Sequence, residues 1–375
     1  MDTKVIAMYL PQYHSIPEND EFWGMGFTDW VSVRNSKPLY ENHNQPRVPE
    51  NYYYYDLSVE KDVRCQAKLA KENGVYGFGI YHYWFNNEKN LLTKPAEIFL
   101  NNVDIDINFF FAWDNISWKR SWSNVKGNDW SPLVDSENKE TNKAKRGPAI
   151  LIEHILGNEA DWENHFNHIL PYLQDSRYIK VDNKPVFVIY HYNDTILKMG
   201  EYWDMLAKKH GMGGMYMVYR DDKIVKLPVG VNRFTYEPAS SAWGGILERA
   251  CEKIAKYLKM KPHLKTYDYD KVWKKIIEKT KSIKDSNHWP GAFVTYDDTP
   301  RRGIRGKVVV NETPEKFQKY METLLLLTKR QKKEFVLLTA WNEWGEGAYL
   351  EPDTVNHDRY LQALRKAIIN ASTNE

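Results

Sequence analysis

The sequence predicts a single α/β domain, residues 1–375, folded as a (β/α)8 TIM barrel with long loops at the carboxyl ends of its strands. Short apolar, β-rich runs alternate with amphipathic helical patterns, and eight such units in series are typical of this barrel. A doubly wound sheet is the alternative, but no glycine-rich fingerprint opens the first helix. A length of 375 residues allows one large domain or two ordinary ones, and one domain is predicted because no internal repeat or linker is visible.

The predicted strands and helices follow one another along the whole sequence. Strands are predicted over residues 5–9, 76–83, 107–113, 185–191, 215–219, 232–236, 291–296 and 335–341. Helices are predicted over residues 59–73, 160–173, 195–210, 268–282, 313–330 and 357–369. Ser58 and Thr313 are candidate helix starts, and Gly74 and Gly211 are candidate helix stops.

Two segments outside this alternation are predicted to be loops. A Pro- and Tyr-rich segment, residues 11–56, follows the first strand. Because insertions at one end of a barrel usually decorate the catalytic face, we expect this segment to lie at the site. The polar run 136–145 is expected to be the tip of a mobile loop.

Composition excludes several classes of function. The 52 Lys and Arg residues nearly balance 50 Asp and Glu residues, so no nucleic-acid partner is expected. Only Cys65 and Cys251 are present, which excludes a disulfide scaffold and a cysteine-rich metal site. No secretory signal is visible, and no apolar run approaches the ~20 residues of a membrane helix, so a cytoplasmic protein without stable membrane insertion is expected. The sequence does not indicate an oligomeric state.

Aromatic and polar residues gather where the predicted strands end. The chain has 14 Trp, 25 Tyr and 14 Phe. The ends of parallel barrel strands converge at one mouth, where flat rings and polar groups suit the apolar faces and hydroxyls of an oligosaccharide or polysaccharide. Packing in the core explains any single ring equally well. The candidate substrate-binding residues are Tyr9, Tyr81, His82, Trp84, Trp113, His191, Tyr192, Tyr236, Glu237, Asp298, Arg301, Trp341, Asn342 and Trp344.

The sharpest motif is WNEWGEG at residues 341–347, at the end of the eighth predicted strand. Its carboxylates, Glu343 and Glu346, would have Cβ atoms ~5–6 Å apart if the turn were helical. Glycoside cleavage needs such a pair, one as proton donor and one as base or nucleophile. Burial is expected to raise the pKa of at least one carboxyl. Alternatively, both are solvated acids at a helix start.

The run NEWGEG at residues 342–347, with LEP at 350–352, resembles the Asn-Glu-Trp-His-Glu-Gly motif of the endo-α-1,2-mannosidases of glycoside hydrolase family 99. The chain is more similar still to the WbsX-like proteins, which are often encoded with O-antigen and other polysaccharide-synthesis genes and are labelled glycosyltransferases. Further matches to them are YLPQYH at 9–14, FWGMGF at 22–27, GFGIYHYWF at 77–85, DSRY at 175–178 and DTPR at 298–301.

The mannosidase resemblance implies a (β/α)8 barrel and retaining cleavage through a 1,2-anhydro sugar. It implies that Glu343 deprotonates the sugar 2-hydroxyl, while Glu346 protonates the leaving oxygen and then activates water or another acceptor. This route implies an α-linked, manno-configured donor, whose 2-hydroxyl is trans to the leaving group. The chain departs at Gly345, where the mannosidases have His, so one pocket wall is expected to be missing.

Two other functions stay open from the sequence. One is a glycosyltransferase of O-antigen, lipopolysaccharide or capsular polysaccharide biosynthesis, and the other is a non-catalytic glycan-binding barrel. Asp-x-Asp patterns at 104–106 and 268–270 match the metal motif of many nucleotide-sugar transferases, but capping explains 268–270 better because a helix begins there. No metal or other cofactor is therefore predicted. Asp298 and Arg301 are expected either to clamp a charged or branched sugar or to form a loop ion pair.

Overall fold

A parallel sheet closes on itself at the centre of the protein. The computed structural model describes residues 2–119, 150–222, 225–245, 248, 257 and 263–373. Each predicted strand overlaps a strand of this sheet, which confirms the barrel and rejects the doubly wound alternative. The barrel strands are β1 (Lys4–Tyr9), β2 (Gly77–Asn86), β3 (Asn108–Trp113), β4 (Lys184–Ile189), β5 (Tyr216–Arg220), β6 (Asn232–Phe234), β7 (His288–Trp289 and Gly291–Phe293) and β8 (Phe335–Thr339).

Strand β7 closes the barrel although Pro290 divides it into two halves. The strand order is β6–β5–β4–β3–β2–β1–β8, and β7 lies between β8 and β6. The first half of β7 pairs with β6 at Phe234, and the second half pairs with β8 at Leu338. Pro290 has no N–H to donate, but its carbonyl accepts a hydrogen bond from Leu337 N at 3.0 Å. The ring of strands therefore continues across the proline.

The barrel strands are apolar on both faces because one face fills the barrel and the other packs against helices. The helices are α1 (Pro17–Trp23), α2 (Asp29–Asn35), α3 (Glu60–Glu72), α4 (Lys94–Asn101), α5 (Glu159–Gln174), α6 (Asp194–Lys209), α7 (Ala239–Ala242), α8 (Tyr269–Ser282), α9 (Thr299–Arg302), α10 (Pro314–Arg330) and α11 (Arg359–Thr373). The 3-10 turns are Glu50–Tyr52, Gly303–Arg305 and Trp344–Glu346. Short strands outside the barrel are Lys89–Leu91, Trp118–Lys119, Ile150–Ile152, Lys180–Val181, Lys265–Asp268, Lys307–Val310, Asn342–Glu343 and Ala348–Tyr349.

Helix ends follow local side-chain chemistry. The Thr313 side chain accepts a hydrogen bond from Lys316 N and caps α10, as predicted. Ser58 does not cap α3, because that helix starts after Val59 and its first turn has no side-chain cap. The predicted helices correspond to α3, α5, α6, α8, α10 and α11, whereas the shorter α1, α2, α4, α7 and α9 were not predicted.

The segment 11–56 lies at the barrel mouth, as the sequence predicted. The Trp30 ring in α2 packs on Trp344 with ring centroids 5.4 Å apart. Asp29 N donates to Gln12 O, and this bond joins the start of α2 to the end of β1. The segment therefore brings Asp29 to the eighth strand end. The loop predicted at 136–145 lies outside the described residues.

Within the part of the chain that the structure describes, no helix is long and apolar enough to cross a membrane.

Candidate active site

A cavity of about 600 Å³ opens at the carboxyl ends of the strands. Both carboxylates of the 341–347 motif line it, together with a set of tyrosines and two tryptophans, so the acids and the rings meet in one hollow. The lining residues are Leu10, Gln12, Trp23, Tyr81, Tyr83, Asp114, Ile116, Ser117, Trp118, Lys119, Leu151, Tyr190, His191, Arg220, Tyr236, Arg301, Arg302, Glu343 and Glu346.

One guanidinium holds the two motif carboxylates together. Arg301 Nη2 lies 3.2 Å from Glu343 Oε2, and Arg301 Nη1 lies 3.0 Å from Glu346 Oε1. On its other edge, Arg301 Nε and Nη2 donate to the Asp29 carboxylate at 3.2 and 3.0 Å. The Asp29 side chain is fully buried, while Arg301 and Glu343 are nearly so. Three acids therefore share one buried cation, which fixes the spacing of the Glu343–Glu346 pair.

The backbone of the motif turns tightly to present both acids. Asn342–Glu343 pairs in antiparallel fashion with Ala348–Tyr349, and the 3-10 turn Trp344–Glu346 joins them. The turn ends at Gly347, whose φ of 53° lies in the left-handed region that glycine adopts readily. The Asn342 side chain bonds Leu10 N and Leu10 O, which ties this turn to the end of β1. The turn is thus 3-10 rather than a solvated α-helix start.

Gly345 is required for the close approach of the Asp29–Arg301 pair. A Cβ atom at residue 345 would lie 2.5 Å from Asp29 Oδ2 and 2.6 Å from Arg301 Nε. Gly345 N also donates to Asp29 Oδ2 at 3.0 Å. The buried ion pair therefore occupies the space that a side chain at residue 345 would need.

We expect Gly345→Ala to destabilise the fold by ~1–3 kcal/mol, the usual cost of overpacking, and to lower activity by displacing Arg301. Urea denaturation and activity measurements check both effects. Gly245→Ala is the matched control, since a Cβ atom there meets nothing within 4 Å. Equal stability of the two variants would contradict the prediction.

Electrostatics distinguish the two motif carboxylates. Burial raises the pKa of Glu343 to about 8, and the neighbouring Glu346 and Asp29 carboxylates act in the same direction. Arg301 opposes this shift without cancelling it. The Glu346 side chain is 21% exposed, against 7% for Glu343. The direction of this pKa agrees with the expectation from the sequence that burial raises the pKa of at least one carboxyl.

Three tyrosines form the wall beside the acids. Tyr190 OH donates to Tyr81 OH at 3.1 Å, and the Tyr81 and Tyr236 hydroxyls lie 3.5 Å apart. Burial raises the pKa of each of these phenols well above its ordinary value. All three stay neutral in the physiological range, so their hydroxyls can both donate to and accept from sugar hydroxyls.

The structure brings six residues of the sequence-predicted site together at the cavity: Tyr81, His191, Tyr236, Arg301, Glu343 and Glu346. His191 Nε2 lies 3.5 Å from Asp114 Oδ1, so the imidazole is oriented at the rim. The loop ion pair suggested for Asp298 and Arg301 has other partners in the structure, because Arg301 pairs with Asp29, Glu343 and Glu346. Asp298 instead pairs with Arg302 at 3.0 Å, and burial raises its pKa to about 6.

Several residues that were predicted to bind substrate point away from the cavity, because neighbouring side chains of a strand lie on opposite faces. In β2, Tyr81 and Tyr83 line the cavity. His82 is buried behind them, with its Nε2 2.8 Å from His165 Nε2, and Trp84 stacks on His165. Burial lowers the pKa of His82 to about 3, so this imidazole is neutral.

The other predicted residues away from the lining take part in packing and hydrogen bonding. Trp113 Nε1 donates to Trp84 O, and Tyr9 OH donates to Gln66. Trp344 Nε1 donates to Glu351, and Ser241 N and Oγ donate to the Glu237 carboxylate. The residues away from the lining are Tyr9, His82, Trp84, Trp113, Tyr192, Glu237, Asp298, Trp341, Asn342 and Trp344.

The sequence-based candidate set omitted several lining residues. Tyr83, Tyr190 and Arg220 lie at predicted strand ends, and that position was the available signal for them. Trp23 comes from α1, and Trp118 comes from the strand Trp118–Lys119, which pairs with Ile150–Ile152. Neither tryptophan was in the candidate set, although Trp23 belongs to the segment 11–56 that was expected at the site.

The two Asp-x-Asp patterns have structural partners. The Asp268 side chain accepts from Lys271 N and caps α8, which confirms the capping interpretation. Asp104 pairs with Arg64, and Asp106 pairs with Lys71. Among the residues that the structure describes, no group of three or more His, Cys, Asp or Glu is arranged to hold a metal ion.

Fold and site together define a (β/α)8-barrel protein with a paired-carboxylate cavity at the carboxyl ends of its strands. A family model described as "Glycosyltransferase WbsX" matches residues 5–364. The chain therefore belongs to the WbsX glycosyltransferase family, which confirms the resemblance seen in the sequence.

Relatives extend this family assignment. Proteins named "Uncharacterized protein WxcX" from two strains of Xanthomonas campestris pv. campestris, B100 and ATCC 33913, are each 28% identical over 380 residues. These matches cover 98% of this chain and 50% of each relative. The chain thus spans about half the length of the curated relatives that it matches.

Solved structures share the barrel. The GH99 endo-α-mannosidase from Bacteroides thetaiotaomicron matches with a TM-score of 0.56 and 14% identity, covering 100% of both chains. Its complex with bis-tris propane matches with a TM-score of 0.53 and 15% identity, covering 99% of this chain and 98% of the other. At this identity the likeness concerns the fold.

Proposed function

We propose that this chain is a glycan-active enzyme that acts on α-linked, manno-configured glycosides with retention of configuration. The observation that supports it is the Arg301-bridged pair of Glu343 and Glu346 in a tyrosine-lined cavity at the barrel mouth. Barrel enzymes carry their chemistry at this end, and glycoside cleavage uses two carboxyl groups in different protonation states.

The proposed chemistry assigns one proton transfer to each carboxyl. The Glu343 carboxylate takes the proton of the sugar 2-hydroxyl, whose oxygen attacks its own anomeric carbon and forms a 1,2-anhydro sugar. Glu346 gives its proton to the leaving glycosidic oxygen. In the second step Glu346 takes a proton from water or from an acceptor hydroxyl, which opens the epoxide, and Glu343 returns its proton to the 2-oxygen. Two inversions at the anomeric carbon give net retention.

The raised pKa of Glu343 gives this assignment a measurable pH dependence. A carboxylate with a pKa of about 8 is a stronger base than an ordinary one, but it is mostly protonated at pH 7. On an α-mannosyl fluoride, whose leaving group needs little protonation, we therefore expect kcat/KM to rise with pH up to about 8, as Glu343 ionises. A pH profile of kcat/KM on this substrate checks the prediction, and a value that falls through the same range would reject Glu343 as the base.

Incubation with a library of polysaccharide fragments, followed by mass spectrometry of the products, tests the proposed function. We expect cleavage or transfer of an α-linked glycan, with NMR showing that the first-formed product keeps the α configuration. Binding without any product would reject the enzyme in favour of a glycan-binding barrel. A β-configured first product would reject retention.

Membership of a family named for glycosyltransferases favours a second candidate, a transferase of polysaccharide assembly. In one form, the same acids would activate the hydroxyl of a sugar acceptor in place of water. In another form, the donor would be a sugar nucleotide or a lipid-linked sugar. Calorimetry with common sugar nucleotides, with and without Mg²⁺ or Mn²⁺, distinguishes these cases. Saturable binding would support a nucleotide-dependent transferase, and its absence across the donors would reject that form.

A further inference from the structure

Arg220 occupies an unusual place on the cavity wall. It is the last residue of β5, and it lines the cavity. Its guanidinium lies over the Tyr236 ring at 5.0 Å and over the Tyr190 ring at 5.8 Å from the ring centroids. A guanidinium stacks on aromatic rings through its flat face, so the N–H donors at its edge can still form hydrogen bonds with a ligand.

Arg301, Arg302 and His191 of the cavity are each engaged by acids, whereas Arg220 is not. Arg301 bridges three carboxylates, and Arg302 Nε lies 3.0 Å from Asp298. His191 faces Asp114. Across the described ranges, the contacts of Arg220 are those with the two tyrosine rings, and no carboxylate lies within ion-pair distance of it. Its charge is therefore available to a ligand in the cavity.

Arg220 also lines the same cavity as the groups proposed to react. The Arg220 guanidinium stacks on the Tyr236 ring, and the Tyr236 hydroxyl lies 3.5 Å from the Tyr81 hydroxyl. Glu343 and Glu346 line the same cavity. An anionic ligand meets repulsion from these acids unless a cation receives its charge, and an arginine fork on a partly buried wall binds carboxylate or phosphate in two parallel hydrogen bonds.

We propose that Arg220 binds an anionic substituent of the glycan, a carboxylate or a phosphate group, so that the substrate class is an acidic oligosaccharide. The inference rests on the proposed function and extends it to the substrate. The sequence suggested Arg301 as the contact for a charged sugar, but Arg301 is engaged by Asp29, Glu343 and Glu346. The proposal therefore gives this contact to Arg220.

Matched probes that differ only at C6 test this proposal. Methyl α-mannoside, methyl α-mannosiduronate and methyl α-mannoside 6-phosphate are titrated calorimetrically at one ionic strength. We expect at least one anionic probe to bind about tenfold more tightly than the neutral probe, a gain typical of a charge-assisted pair. Preference for the uronate identifies a carboxylate ligand, and preference for the phosphate identifies a phosphorylated one.

Variants assign the preference to Arg220. Arg220→Gln should abolish the preference for the anionic probes, so that they bind no more tightly than the neutral probe, while Arg220→Lys should keep part of the preference. Arg330→Gln is the matched control, because it removes the same charge from an exposed position at the end of α10. Equal binding of all three probes, weaker binding of both anions, or a preference that persists in Arg220→Gln would overturn the proposal.

The two proposals can fail separately because these titrations measure binding rather than turnover. An Arg220-dependent preference in a protein that converts no glycan would reject the enzymatic function alone. Turnover of neutral glycans without any anionic preference would reject the Arg220 inference alone.

Discussion

Glu343→Gln and Glu346→Gln are each expected to lower kcat by ~10²–10⁴-fold, the usual contribution of a positioned acid or base. Glutamine keeps the size of the side chain and can still accept a hydrogen bond from Arg301, but it cannot exchange a proton. Substrate affinity should therefore stay near that of the wild type. Steady-state kinetics and calorimetry on the glycan found by the library screen measure the two effects.

A substrate with a good leaving group separates the roles of the two acids. An α-mannosyl fluoride needs little protonation of its leaving group, so Glu346→Gln should recover much of kcat/KM on this substrate, because kcat/KM reports the first step. Glu343→Gln should not recover, because the 2-hydroxyl still needs a base. If Glu343→Gln recovered on the fluoride and Glu346→Gln did not, Glu343 would be the acid and Glu346 the base.

Glu278→Gln is the matched control for this pair, because Glu278 is exposed on α8. It should leave kcat and affinity unchanged. Full activity in both Glu343→Gln and Glu346→Gln would remove the chemical basis of the proposed function.

Arg301→Met is expected to cause the largest loss of stability, ~3–5 kcal/mol in the free energy of unfolding at neutral pH, as is usual when one partner leaves a buried ion pair. The change leaves Asp29, Glu343 and Glu346 close together without their cation. Urea denaturation measures the loss. Activity should also disappear, since the guanidinium sets the position of both motif acids.

The stability deficit of Arg301→Met should shrink as the pH falls from 7 to 5. Carboxyl groups that lose their cation bind protons more tightly in the folded than in the unfolded chain, so lower pH favours the folded variant. Arg330→Met is the control, since Arg330 is exposed at the end of α10. A loss below about 1 kcal/mol, or one that grows at pH 5, would contradict the role given to Arg301.

Strand positions were predictable because they depend on local pattern. The run from Gly77 to Trp84 is strongly apolar and aromatic, and it forms β2 as expected. The direction of each side chain was not predictable from the run itself. Tyr81 lines the cavity while His82 packs behind it, and a parallel strand that is apolar on both faces carries no pattern to tell these apart.

The motif acids illustrate the same limit at the site. Two acids three residues apart, at the end of the last strand, indicated a candidate catalytic pair. The sequence could not show that Asp29 and Arg301, 272 residues apart, meet beside Gly345. Their approach depends on the path of the segment 11–56 over the barrel mouth.

The sequence by itself determined the alternation of strands and helices, the barrel, the family and the location of the acid pair, because each depends on residues close in the chain. Only the tertiary structure decided which strand-end residues face the cavity, which cation joins the acids and which arginine stays available to a ligand. These contacts join distant parts of the chain, and the closed sheet sets which face of each strand meets the others.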